Sequence, residues 1–366
     1  MMMLRAMRSA AAAFVVLGTC AGAGLAGDLT EGLKSGTPDL KSAGALAFGP
    51  DGVLFVADQA GGAIFAIDAG DRGQAPSQAP AAVHVEGIDA RIAGMLGTTA
   101  DQILIRDVAV NPASGKVYVS VARGRGPDAA GVIVRVGADG EIQELPLKGV
   151  KFARAEISGL ATGRGRQDSI TDLAYLDGRV FVAGLSNEEF SSNLRAIPFP
   201  FAGAGEQGAH IEIYHGSHGR FETTSPVRTF IPYDIDGKRY VLAAYTCTPL
   251  VKFPVSDLRP GARVKGTTIA ELGNHNKPLD MIVYQKDGRD FILMANSSRG
   301  VMKIPADRAG TQEGIIRRVS DRAGLPYETV DGLKGIEQLD KLGKESAVVL
   351  ARGENGRLDL KTIALP

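Results

Sequence analysis

The chain of 366 residues sets 41 Lys and Arg against 41 Asp and Glu, which excludes the basic surface that nucleic acid or anionic lipid would require of a partner. Two cysteines and no tryptophan exclude a disulfide framework and a tryptophan docking motif. After the first residues no stretch reaches the ~18 continuous apolar residues of a membrane-spanning helix, and no haem-attachment motif, nucleophile elbow or nucleotide-binding loop is present.

Residues 1–26 have the layout of a secretory signal: Arg5 and Arg8 without an acid, then the small and apolar run SAAAAFVVLGTCAGAGLA, with small residues at Gly24 and Ala26. The expectation is export to the periplasm or outside, with cleavage after Ala26, a mature domain of 27–366 and a net charge of −2 once the two arginines are removed. A lipoprotein reading at Cys20 is disfavoured because Thr19 precedes it. Cys247 then remains alone in the apolar run YVLAAYTCTPLVKF, where it reads as a small buried hydrophobe.

Along the mature chain one pattern returns six times: a short apolar strand, a tight turn, a β-branched strand, a Gly-rich loop and a third alternating strand. The turns are Pro50-Asp51-Gly52, Ala113-Ser114-Gly115, Asp177-Gly178, Asp236-Gly237, Asp287-Gly288 and Leu342-Gly343. A period of roughly 50 to 64 residues suits a four-stranded blade. The pattern predicts an all-β, six-bladed propeller of four-stranded antiparallel blades. Because the last repeat ends on its third strand, an N-terminal strand from 27–41 is expected to complete the last blade and close the ring. Two insertions, 87–104 and 151–169, precede inner strands and are expected to cap one face. Ile88, Ile92, Met95 and Leu96 keep the spacing of a short helix packed on it.

Aligned on the turn glycines, the innermost strands share one position, filled by Gly44, Asp107, Asp172, Thr229, Asp280 and Glu337. Acids inside apolar strands that line one channel must be hydrated, protonated, hydrogen-bonded to backbone amides or bound to a cation, and an all-oxygen set suits calcium. Both a structural role and a metal site at Asp107, Asp172, Asp280 and Glu337 stay open. The strings DVAVNPASGKVYVS, TDLAYLDGRVFVA and LDMIVYQKDGRDFILMA resemble blades of the six-bladed superfamily that includes NHL-repeat, gluconolactonase-like and TolB-like propellers. The gluconolactonase branch implies a divalent metal on the axis held by Glu, Asn and Asp. This chain departs from it in having Gly44 where an early Glu would stand and no Asn-Gly-Leu inner strand.

Other groups are weighed on the same face. His275 in GNHNKPLD is a candidate general base beside an axial metal, or an exposed turn histidine. Asn187, Asn296 and Arg123 fall on loops where a ligand would be met, and Arg123, Arg125, Arg164 and Arg166 are placed to offset the acidic axis. His210, His215 and His218 in HIEIYHGSHGRF offer imidazoles, yet the segment reads as a hairpin between outer strands that lacks a carboxylate or thiol to complete a metal site. Two functions follow: an exported propeller that binds a protein or small ligand on its loop face without a finished catalytic set, or a calcium-dependent lactonase-like or esterase-like hydrolase.

Overall fold

The computed structural model describes residues 28–73, 81–126, 128–202, 207–247 and 249–366, so the expected signal segment 1–26 and Cys20 lie outside the described residues. Six sheets surround one channel, each with a four-stranded antiparallel blade at its centre; the sheet of blade 3 adds one parallel pair at its edge, Ala209–His215 with Arg263–Lys265. Numbered by repeat, their innermost strands are Leu46–Phe48, Ile103–Val110, Asp172–Leu176, Val227–Ile235, Pro278–Lys286 and Ile336–Leu342. The hairpins form where Asp-Gly pairs accept two successive positive φ angles: 47° and 75° at Asp177-Gly178, and 51° and 73° at Asp287-Gly288. Such turns match the twist of the strands they join.

The second strands have largely apolar centres because both of their faces are covered. Val53–Asp58 is buried at every position, and the apolar residues of neighbouring blades interlock as continuous clusters around the ring. Phe55 of blade 1 is fully buried, stacked on Tyr175 of blade 3 at 5.5 Å and edge-on to Phe199 at 5.0 Å. Burial of a side chain this size stabilises by roughly 1.5–3 kcal/mol. On the opposite side of blade 1, Phe48 meets Tyr118 of blade 2 at 5.0 Å.

These contacts reveal an order that repeat counting does not. Blade 1 lies between blades 2 and 3, and the ring runs 1, 3, 4, 5, 6, 2 and back to 1. The expected closure is also corrected. The N-terminal strand Lys34–Gly36 does not complete blade 6; it pairs with Val150–Glu156 on the outer edge of blade 1. Blade 6 takes its fourth strand from His84–Val85, between repeats 1 and 2, through Leu360↔Val85 and Lys361↔His84. Repeat 1 supplies only three strands to its blade, and Val150–Glu156, reached after blade 2 is complete, fills the fourth place. Early and late segments thus interlock on both sides of blade 2, which removes open sheet edges. The first half of the insertion 151–169 is therefore an outer strand, followed by a 3-10 turn at Gly163–Asp168.

The other insertion forms α1 (Ile88–Met95) as its spacing predicts, burying Ile88, Ile92 and Ala93. Met95 differs and is 40% exposed, since the inward stripe ends in Ala93 and Leu96. No described helix is long and apolar enough to cross a membrane.

Candidate functional site at the channel mouth

Four of the inner strands carry the same irregularity. Their register skips one residue between Ile105 and Asp107, Val227 and Thr229, Pro278 and Asp280, and Ile336 and Gln338. A bulge of this kind turns the skipped side chain out of the ladder and re-aims its neighbours. The skipped residues are Arg106, Arg228, Leu279 and Glu337, and the residue after each one faces the axis. The axial ring is therefore Ala45, Asp107, Asp172, Thr229, Asp280 and Gln338, all lining one cavity of about 50 Å³. Space of that size admits a few waters or one small ion.

Glu337 is corrected by this register. As the bulge residue of blade 6 it leaves the ring and pairs with Arg352 through two contacts of 2.5 and 3.0 Å. Gly44 likewise gives way to Ala45, because Gly44 occupies the position before the ring and donates its N–H to the Ala57 carbonyl.

The three aspartates do one job in one geometry. One oxygen of each accepts the N–H of the next residue: Val108 at 2.8 Å, Leu173 at 2.7 Å and Met281 at 2.7 Å. The other oxygen accepts an N–H from the neighbouring blade: Leu46 at 2.7 Å, Phe230 at 2.8 Å and Leu339 at 2.8 Å. Asp340 repeats the motif one layer further along, accepting from Lys341 and from Val110 of blade 2, both at 2.7 Å. These carboxylates stitch blade to blade, satisfying amides at the ends of the apolar interfaces. Sequence reasoning misses Asp340 in the string GIEQLDKL because Glu337, with the same charge, stands nearer the aligned position.

Electrostatics sets the state of the ring. Burial pushes Asp172 up to about 7 and Asp340 up to about 6. Burial, then the charge of neighbouring ring aspartates, drives Asp107 and Asp280 well above the usual carboxylate range. The ring therefore shares protons and carries less charge near neutrality than its carboxyl count suggests.

Above this floor the mouth is cationic. Arg106 and Arg228 line the cavity with Thr171. Arg228 pairs with Asp168 at 2.6 Å and donates to Thr246. Arg106 has no ion pair among the described residues, and desolvation and nearby Arg125 both work against its charge. Lys277 stands close enough to Arg228 and Asp168 to feel both charges.

The remaining candidates lie away from the cavity. His275 is exposed at φ 56°, and its carbonyl accepts from Ser298. Asn187 is exposed on a loop held by its N–H to Gly159; Asn296, 6% exposed, caps the Arg299 N–H. Arg123 ends its strand exposed. Arg125 and Arg166 do not offset the axis but hold loops, donating to the carbonyls of Asp101 and of Gln59 and Ala60.

No protein-family model and no curated protein matches the chain. Among solved structures it is similar to a PQQ-bound aldose sugar dehydrogenase from Streptomyces coelicolor, at 12% identity over 90% of this chain and 96% of that one, with a TM-score of 0.35. A structure described as a putative oxidoreductase (glucose dehydrogenase) from Thermus thermophilus gives 13% identity, 90% and 100% coverage and a TM-score of 0.34. The WD40 propeller domain of Doa1 gives 7%, 90% and 95%, with a TM-score of 0.32. The six sheets themselves establish the propeller.

Proposed function

We propose that this chain is an exported binding propeller whose channel mouth takes a small ligand rich in hydrogen-bond acceptors, a carboxylate or oxyanion, without a finished catalytic set. One observation carries the reading: Arg106 faces the cavity with no ion pair among the described residues, while the aspartate oxygens below it already accept backbone amides. What the cavity has left to offer is donors. Arg106 and the hydroxyl of Thr171 line the cavity beside Arg228, which Asp168 already pairs, and a guanidinium and a hydroxyl suit an anion's oxygens. Export rests on the Arg5/Arg8 and apolar layout of residues 1–26.

An axial calcium fits this donor set poorly. Calcium needs six to eight oxygens, whereas each carboxylate here is engaged twice and two guanidinium groups stand over the ring. We therefore derive no metal-dependent hydrolysis through it. A thermal-shift panel of inorganic phosphate, malonate and calcium, run beside lactone and ester hydrolysis assays, tests the proposal. Phosphate or malonate should raise the melting temperature of the wild type and leave Arg106→Ala unmoved. Calcium-dependent turnover that Asp280→Ala abolishes would replace this reading with the hydrolase.

A further inference from the structure

A second cluster lies at the junction of blades 3 and 4, away from the axis. His215 ends the strand Ala209–His215, and a tight turn closed by the Gly219 N–H to the His215 carbonyl at 2.8 Å brings His218 back over it. The two imidazoles lie 3.8 Å apart between centroids and are tilted by 36°. Glu222, on the returning strand Arg220–Glu222, holds both through the same ring atom: its Oε2 is 3.0 Å from His215 Nδ1 and its Oε1 is 2.6 Å from His218 Nδ1. Ser225 fixes that carboxylate at 2.7 Å.

A carboxylate on both Nδ1 atoms sets the tautomer that leaves both Nε2 lone pairs free, the arrangement in which histidines present Nε2 to a metal. His215 is 2% exposed, and its Nε2 is buried without a hydrogen-bond partner. The loop after Tyr245 of blade 4 then delivers the thiol of Cys247, and one ring nitrogen each of His215 and His218 and the Cys247 sulfur lie within 4.8 Å of one another. Cys247 sits at φ 60°, held by its N–H to the Asn276 carbonyl at 2.8 Å. Ligands at metal bonds of about 2.1–2.3 Å stand roughly 3.5 Å apart in a tetrahedron, so closure asks each side chain to move by about 1 Å or less. His210 takes no part, being held instead by Glu188 at 3.0 Å and by the Phe190 carbonyl.

An ion-paired hairpin alone would leave a buried imidazole nitrogen orphaned, with a thiol beside it for no reason. We propose that His215, His218 and Cys247 bind one transition-metal ion of borderline or soft character, zinc or copper, with Glu222 as the positioning residue. Two nitrogens and a sulfur exclude calcium and magnesium as the occupant. The exposed His218 leaves a fourth position on the solvent side. The site does not depend on the channel reading, since no residue is shared between the two.

The test is a titration of the chelator-stripped full chain with Co(II), then competition by Zn(II) and by Cu(II). One equivalent of Co(II) should produce thiolate-to-metal charge-transfer absorption, which Zn(II) displaces. Cys247→Ser should abolish that band. Glu222→Gln should weaken binding by about 10–100-fold, and exposed His218→Gln should abolish one-to-one binding while the stripped protein keeps the wild-type melting temperature. Absence of stoichiometric binding, or binding that survives both Cys247→Ser and His218→Gln, overturns the proposal.

Discussion

The channel ring and the blade 3–4 corner both gather ionisable side chains, and they differ in what those side chains already touch. Asp107, Asp172 and Asp280 each accept one amide from their own strand and one from the next blade. At the corner, Glu222 is saturated but His215 Nε2 has no partner. Clustered charge by itself is no mark of a ligand site. A donor or acceptor left over after the fold has been served is a better guide, and by that measure the ring carboxylates are architecture, while Arg106 at the mouth and His215 Nε2 at the corner are the groups proposed to meet ligands.

The sharpest way to break this contrast is to remove a ring carboxylate. Asp280→Ala strands the amides of Met281 and Leu339, and each buried unsatisfied group costs about 1–3 kcal/mol. Urea denaturation should show a loss of roughly 2–6 kcal/mol. A loss under about 1 kcal/mol would deny the stitching role.

Acidity gives the next largest effect. Asp172 at about 7 and Asp340 at about 6 lie above the ~3.9 of an unfolded aspartate. Between these values the folded state binds more protons than the unfolded state. The ring's contribution is therefore full below about pH 4 and is lost as pH rises through 6 to 7. Denaturation at pH 5 and pH 8 should differ by on the order of 4 kcal/mol in favour of pH 5, and Asp172→Asn should remove the larger part of that slope. Stability rising over the same interval would mean that the ring is charged and paired with a cation.

Glu337→Gln sharpens the register. Its partner Arg352 lies on the same blade and both are partly exposed, so the loss should be about 1 kcal/mol or less by thermal melting. A loss as large as that of Asp280→Ala would return Glu337 to the axis. Smallest of all, His218→Gln in metal-free protein should stay within about 0.5 kcal/mol.

Much of the fold is written locally and is legible for that reason. Asp177-Gly178 and Asp287-Gly288 dictate their hairpins, and VLFVAD and FILMAN mark strands covered on both faces. Blade order is not local. Phe55 stacks on Tyr175 and Phe48 meets Tyr118 edge-on, both Phe–Tyr contacts between blades, and nothing in either residue says which blade stands beside it. The outer strands Val150–Glu156 and His84–Val85 are polar or short, so the crossings that lock blades 1, 2 and 6 leave little pattern.

The site is legible to within one residue. Counting from turn glycines finds Asp107, Asp172 and Asp280, but a bulge shifts side-chain direction without changing composition. In blade 6 the count falls on Glu337 where Gln338 faces the axis, and in blade 1, whose inner strand carries no bulge, it falls on Gly44 where Ala45 does. The same bulges set Arg106 and Arg228 over the axis, a placement hidden while the register is read as regular. At the corner the spacing of His215 and His218 is visible, whereas the thiol that joins them arrives from another blade.

The division of labour at the channel is tested most directly by isothermal titration of inorganic phosphate and of calcium into wild type and Arg106→Ala. Saturable phosphate binding that vanishes in Arg106→Ala, with no heat from calcium in either protein, is the result predicted. Stoichiometric calcium binding that persists in Arg106→Ala and is lost in Asp280→Asn, with no phosphate binding, would contradict the account.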